Sequence, residues 1–164
     1  MGQNKIVQLQ DQKLAGDVGR MLIEKGLTLA TAESCTGGAI GALLTGLAGS
    51  SSWFSGGVIS YSNSVKTNLL GVAPSLIENY GAVSQEVVEA MAKGGRKAMG
   101  TDLCVAVSGI AGPAGGSVEK PIGTVWVAWC DGNNAVTSKL YQLSGDRHEV
   151  QKAAVRMALA GIIG

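Results

Sequence analysis

Apolar residues recur at helical spacing over residues 8–26, where Leu14, Val18, Met21 and Leu22 share one face and Gly26 supplies a stop, so the pattern predicts a helix. The alternating stretch 27–31 predicts a short strand. It runs into Ala32-Glu33-Ser34-Cys35-Thr36-Gly37-Gly38, after which Ile40, Leu43, Leu44 and Leu47 return to helical spacing. A strand, a tight loop and a helix start are therefore expected in that order. Val58, Ile59 and Tyr61 place a second strand within 54–62, and Ser62-Asn63 offers N-cap chemistry to a short helix carrying Val65, Leu69 and Leu70. Pro74 is expected to break the chain. Ser84 then opens a helix bearing Val87, Val88, Met91 and Ala92 that ends near Gly100.

The near-continuous apolar run 102–108 has the length of a buried central strand. A glycine-rich loop occupies 109–116. Strands at 123–130 and 135–143 are joined at Asp131-Gly132-Asn133-Asn134, a hairpin signal, and residues 146–163 form a closing helix. Helices that alternate with strands, followed by a late hairpin, predict an α/β sandwich with a mainly parallel sheet and an antiparallel element. No repeat, low-complexity stretch or linker interrupts the chain, so residues 1–164 are expected to form one domain. Both glycine-rich loops follow predicted strands. Ligand sites in such folds lie beyond the carboxyl ends of strands, and the two loops are expected to be neighbours.

Composition narrows the function classes. Hydrophobic residues make up 46% and charged residues 15% of the chain, enough apolar material for a core and too little charge for a solvated coil. Thirteen Lys and Arg against twelve Asp and Glu leave a net charge of +1, a poor match to the basic excess of a nucleic-acid binder. The 25 glycines are about twice the usual share and are not periodic, which excludes a collagen-like structure. They cluster between apolar runs, as in loops that bring backbone close to a ligand. Cys35, Cys104 and Cys130 lie far apart, so a reduced, cytoplasmic setting is expected rather than a disulfide framework. One histidine and no C-x-x-C pair make a His- or Cys-based metal site unexpected. No apolar run reaches ~18 residues, and the N-terminus lacks the apolar stretch of a signal peptide, so neither membrane nor export is expected.

Several residues could carry chemistry. Ser34, between a predicted strand and a helix, suits nucleophilic attack beside backbone N–H groups that would hold an oxyanion. The plainer alternative makes Ser34 or Thr36 an N-cap and the glycines a turn. The motif is not G-x-S-x-G. A serine nucleophile needs a base, and the sole histidine, His148, lies in a charged stretch where no Ser-His-Asp triad can be argued. Lys66, five residues after Tyr61, is the stronger candidate. Moving a lysine pKa from ~10.4 toward ~7 costs roughly 4–5 kcal/mol, to be supplied by burial or nearby positive charge. A solvated helix lysine is the alternative. Tyr61 could relay a proton or simply cover the core. Lys120 is a rival base and Cys35 a rival, thiol nucleophile. Arg147 could grip a phosphate with its planar fork, or pair with its neighbour Asp146. Trp126 and Trp129, three apart in a strand, fall on opposite faces and read as core and cover.

Six segments together resemble a known family: TAESCTGG (31–38), AGSSSWFSGGVISYSNSVK (48–66), GAVS (81–84), SGIAGPAGG (108–116), KPIGTVW (120–126) and SGDR (144–147). The resemblance, which spans nearly the whole chain, is to the C-terminal domain of the competence/damage-inducible protein CinA. Some members of that family stand alone and act as nicotinamide-nucleotide amidases. The resemblance implies a three-layer α/β/α sandwich with a mixed, mainly parallel sheet. It implies hydrolysis of the carboxamide of nicotinamide mononucleotide (NMN) to nicotinate mononucleotide and ammonia, without metal or cofactor, in pyridine-nucleotide recycling.

Carried over by motif, Ser34 is the nucleophile and Lys66 the base, with Tyr61 assisting. Backbone N–H groups near Ser34 and in the glycines after it would hold the oxyanion. Substrate contacts are implied at Glu33, Thr36, Gly37, Gly38, Asn63, Ser108, Gly109, Gly112, Gly115, Gly116, Lys120 and Arg147, with the 109–116 loop and Arg147 cradling the phosphate. A homo-oligomer, most simply a dimer, is expected. Longer members carry a further N-terminal domain, whose function is not implied here. Ser64-Val65 stands where relatives carry an acidic residue and alanine, and the missing carboxylate either lowers the Lys66 pKa slightly or is plain surface variation. Three other readings stand beside this one: a Ser/Lys amidase for another amide, a nucleotide-binding module without turnover, and a DNA-binding competence factor, which the charge balance disfavours.

Overall fold

In a computed structural model that describes residues 2–164, with side chains from residue 8 onward, the elements follow the predicted order. Helix α1 (Gly2–Lys25) leads into β1 (Leu29–Glu33), α2 (Ala39–Thr45), a 3-10 turn (Ser50–Ser52) and β2 (Phe54–Ile59). Three helices follow, α3 (Asn63–Leu70), α4 (Pro74–Tyr80) and α5 (Gln85–Met99). Strands β3 (Leu103–Gly109), β4 (Thr124–Cys130) and β5 (Val136–Gln142) come next, and α6 (Arg147–Ile163) closes the chain.

The serine caps and the Gly100 stop operate where they were expected, and the structure adds a stop at Gly71 and a box at Asp146. Ser62 accepts a hydrogen bond from the Val65 N–H and Gly71 ends α3 in the left-handed region. Ser84 does the same for Val87, and Gly100 ends α5. Asp146 and Glu149 form a full capping box on α6. Two expectations need correction. Pro74 does not break the chain but occupies the first position of α4, where the missing N–H costs nothing. Strand β1 starts two residues late, because the Gly26 and Leu27 N–H groups still cap α1 by bonding the Ile23 and Leu22 carbonyls.

The sheet order is β2-β1-β3-β4-β5. β1 pairs parallel with β2 and β3, while β3–β4 and β4–β5 are antiparallel, so only β4 runs against the other strands. The sheet is mixed, as expected. Leu29, Val105, Val107, Val125 and Val127 pack on one face against α1, α2 and α6. Ala30, Ala32, Cys104, Ala106 and Ala128 pack on the other against α5, with Leu70 and Ile77 of α3 and α4 alongside. Three layers result. Each fully buried Val, Leu or Ile contributes roughly 1.5–3 kcal/mol.

Small residues on the second face let α5 approach closely. A Cβ at Gly95 would lie 2.7 Å from the Cys104 sulfur, and one at Gly94 would strike the Leu70 carbonyl. Trp126 faces this layer and Trp129 the other, where its indole N–H donates to the Ala158 carbonyl. Among the described residues no helix is long and apolar enough to cross a membrane.

The chain leaves β1 toward β2 on one side and later returns to pair β3 on the other. The carboxyl ends of β1 and β3 thus flank a topological switch point, where ligands bind in open α/β sheets.

Candidate active site

Ser34 follows directly on β1, and its N–H donates to the Val107 carbonyl of β3 at 3.0 Å. The turn beyond it requires glycine: Gly37 and Gly38 have φ of 62° and 97°, and a Cβ on Gly38 would come within 2.9 Å of Ile59 Cδ1. Glu33, buried at the end of β1, accepts hydrogen bonds from the Thr36 hydroxyl (2.7 Å) and from the N–H groups of Gly38 (3.1 Å), Ile40 (3.0 Å) and Gly41 (2.8 Å).

Lys66 lies in α3 with its side chain only 1% exposed. Its Nζ is 3.0 Å from Ser34 Oγ, 2.7 Å from the Ser60 carbonyl and 3.4 Å from the Tyr61 carbonyl. No carboxylate among the described residues pairs with it. Burial disfavours the ammonium and pulls the Lys66 pKa below the usual lysine value, against an opposing pull from the Cys35 thiol. Three oxygen atoms surround Nζ, the Ser34 hydroxyl and the Ser60 and Tyr61 carbonyls. Ser34 thus has a buried amine within hydrogen-bond reach.

Other candidates separate from this pair. Burial pushes the Cys35 thiol up to about 12, which keeps it protonated and unreactive at neutral pH. His148 is exposed and lines a different cavity among α1, α2 and α6. The Lys120 ammonium donates to the Tyr80 carbonyl at 2.7 Å, and Lys120 does not line the cavity at Ser34.

That cavity measures about 200 Å³ and is walled by Ser34, Cys35, Tyr61, Asn63, Lys66, Ala82, Val83, Ser108, Gly109, Ala111 and Arg147. The buried Ser108 hydroxyl donates to the Ala82 carbonyl, fastening the 81–84 segment along one side. A Cβ at Gly109 would meet Val125 Cγ2 at 2.6 Å, so glycine alone fits there. Arg147, at the start of α6, donates to the Gly112 carbonyl (2.7 Å) and the Tyr61 hydroxyl (3.1 Å). It has no ion pair with Asp146, whose carboxylate caps α6 instead.

The expected contacts therefore divide. Asn63, Ser108, Gly109 and Arg147 line the cavity, and Gly112 reaches it through Arg147. Glu33, Thr36, Gly37 and Gly38 instead build the turn beneath Ser34, with Glu33 and Thr36 bonded to each other. Gly115 and Gly116 lie outside the lining, near Ile110 and Ile122. The amides of Gly37 and Gly38, expected to hold an oxyanion, are already committed to the Ser34 carbonyl and to Glu33. Those of Cys35 and Thr36 have no backbone or carboxylate acceptor among the described residues, and the Cys35 N–H faces only its own thiol. Tyr61 meets Lys66 through its carbonyl, while its hydroxyl sits on Arg147. Sequence reasoning missed Ser60, which acts through a backbone carbonyl and leaves no side-chain signal.

The family model for the CinA C-terminal domain matches residues 11–164. Nicotinamide-nucleotide amidohydrolase PncC of Pseudomonas putida is 50% identical over 150 residues, covering 92% of this chain and 93% of that protein. Its Escherichia coli K12 counterpart is 43% identical over 159 residues, covering 97% and 93%. The crystal structure of competence/damage inducible protein CihA from Agrobacterium tumefaciens superposes with a TM-score of 0.91 at 39% identity, covering 93% of each chain. The chain belongs to the CinA C-terminal domain family.

Proposed function

We propose that this protein is an amidohydrolase that converts NMN to nicotinate mononucleotide and ammonia, using Ser34 as nucleophile and Lys66 as base, in cytoplasmic pyridine-nucleotide recycling. The relatives named as nicotinamide-nucleotide amidohydrolases match this chain over nearly its full length and support the substrate. The observation that carries the chemistry is the 3.0 Å contact between a buried, unpaired lysine amine and the Ser34 hydroxyl.

Neutral Lys66 takes the Ser34 proton as Oγ bonds to the carboxamide carbon. The carbonyl π electrons move onto oxygen, where the N–H groups of Cys35 and Thr36 are the donors left to meet them. The Lys66 ammonium then protonates the departing nitrogen, the C–N bond breaks, and ammonia leaves an acyl ester on Ser34. Water attacks that ester while Lys66 accepts its proton, and the Ser34 alkoxide leaves by taking the proton back. Proton transfer is direct, with Tyr61 serving through its carbonyl and its grip on Arg147. The Arg147 guanidinium is the cation on the cavity wall suited to the nucleotide phosphate.

The test is ammonia release from NMN by the wild type, Ser34→Ala and Lys66→Ala, each shown to be folded. Release by the wild type alone supports the reading. A wild type that binds NMN and releases nothing is a binding module instead, and Lys66→Ala activity at neutral pH removes Lys66 as base.

A further inference from the structure

We propose that Glu33 is a positioning residue that constructs the oxyanion site, holding the turn after Ser34 so that the Cys35 and Thr36 N–H groups stay open. This role rests on the Ser34–Lys66 reading above. Glu33 is 2% exposed, and both carboxylate oxygens are occupied. Oε2 accepts from the Thr36 hydroxyl, the Gly38 N–H and the Ile40 N–H, and Oε1 accepts from the Gly41 N–H. Four donors and no acceptor surround the group, a set that an acceptor-only carboxylate satisfies and an amide does not. The carboxylate so engaged lies outside the lining of the cavity at Ser34.

The consequence appears in the fate of each amide along the turn. Ser34 N–H bonds Val107, Gly37 N–H bonds the Ser34 carbonyl, and Ala39 N–H bonds the Thr36 carbonyl. Gly38, Ile40 and Gly41 go to Glu33. Along the turn from Ser34 to Gly41 the other amides are engaged, and the two left without a backbone or carboxylate acceptor are those of Cys35 and Thr36. The bond from the Thr36 hydroxyl to Oε2 fixes residue 36 from beneath. Because the clamp ties residue 33 to residues 36–41, it closes the chain over Ser34 and Cys35 and restrains the peptide planes between them. Preorganised donors of this kind act on the transition state and little on the ground state.

The decisive variant is Glu33→Gln, which keeps the side-chain size and turns an amide N–H₂ toward a backbone donor. Loss of oxyanion alignment should lower kcat for NMN on the order of 100-fold while KM stays within about threefold. The affinity of pyridine-3-boronic acid is measured alongside, since its tetrahedral adduct on Ser34 sets an oxygen where the oxyanion forms. It should weaken in step with kcat. NMN affinity, compared between Ser34→Ala and Ser34→Ala/Glu33→Gln by calorimetry, should hold. Thr36→Val, which removes one of the four bonds, should shift kcat and boronate affinity in the same direction by a smaller factor.

A merely structural role would lower the melting temperature and leave kcat per folded molecule and boronate affinity unchanged, and that result overturns the proposal. So does a loss of NMN affinity as large as the loss of kcat. Should Glu33→Gln fail to fold, unchanged kcat and boronate affinity in Thr36→Val overturn it. A wild type that forms the Ser34 boronate adduct but does not turn over NMN fails the amidase reading alone, and boronate affinity in the variants then decides the role of Glu33. A wild type that forms no such adduct has no oxyanion site to position.

Discussion

Lys66 and Ser34 stand 32 residues apart in sequence and 3.0 Å apart in space, with the amine nitrogen against the hydroxyl oxygen. The contact follows from two strand ends. Ser34 leaves β1, Lys66 enters α3 one turn after β2, and β1 and β2 pair in parallel so that both chains emerge at the same edge. The Ser60 N–H locks these ends together by donating to the Glu33 carbonyl at 2.7 Å.

The rate of amide hydrolysis should rise with pH along a limb set by Lys66. Burial lowers the lysine pKa, so the neutral, proton-accepting form is reached below the usual ~10.4. A profile of kcat/KM against pH should show one deprotonation below that value. No such limb, or one at the ordinary lysine position, would count against Lys66 as base.

The same shift has a thermodynamic signature. Because the folded pKa lies below the unfolded one, the unfolded chain binds the extra proton between the two values, and stability increases as pH rises through that window. Lys66→Met, which fills the space without a charge, should lose this contribution. Urea denaturation of both proteins at several pH values checks it, and the difference should move in favour of the wild type as pH rises. A difference independent of pH would mean that Lys66 titrates alike in both states.

Tyr61→Phe separates a relay from a direct transfer. The phenol oxygen accepts from Arg147 and does not meet Lys66, and the Tyr61 carbonyl that meets Lys66 survives the substitution. The variant should therefore keep kcat within about tenfold, whereas removal of a group that transfers the proton typically costs 10²–10⁴. Its pH limb should stay where it was. Steady-state kinetics across pH distinguishes the two.

Legibility in the sequence followed the range of the interaction. The Ser62 cap, the Gly100 stop and the Asp146 box are local chemistry, and each could be read from a few neighbouring residues. The meeting of Ser34 with Lys66 depends on which strands pair, so composition and spacing offered the two residues but not their contact. Glu33 beside a nucleophile read as a substrate contact because its four donors come from residues 36–41 folding back over it. Gly115, Gly116 and Lys120 are close to the site along the chain, yet the loop turns Lys120 to Tyr80 and away from Ser34. Pro74 carried a signal that fits both a break and a helix start, and the packing of Leu76 and Ile77 against the α5 layer selected the helix.

The Cys35 thiol should be inert although it adjoins Ser34. Its pKa near 12 leaves almost no thiolate at pH 8. Iodoacetamide at that pH should leave both Cys35 and NMN turnover intact over hours, and Cys35→Ala should keep its activity, since the residue contributes its backbone N–H. Rapid alkylation with loss of activity would reopen the thiol reading.

Arg147 tests the other end of the substrate. Its guanidinium spans from α6 to the Gly112 carbonyl and the Tyr61 hydroxyl, met by two different nitrogens of the planar fork. Replacing Arg147 by alanine removes a cation from the cavity wall without touching the Ser34–Lys66 contact. A hydrogen bond to a charged group is worth about 1.5–3 kcal/mol, so KM for NMN should rise by roughly 10- to 150-fold, with kcat much less affected. Nicotinamide riboside, which has the same amide and no phosphate, should show no such penalty. Arg147→Lys should restore only part of the affinity, because it supplies the charge without the fork. Equal losses for the nucleotide and the nucleoside would place the contribution of Arg147 in shaping the cavity through Gly112 and Tyr61 rather than in gripping the phosphate.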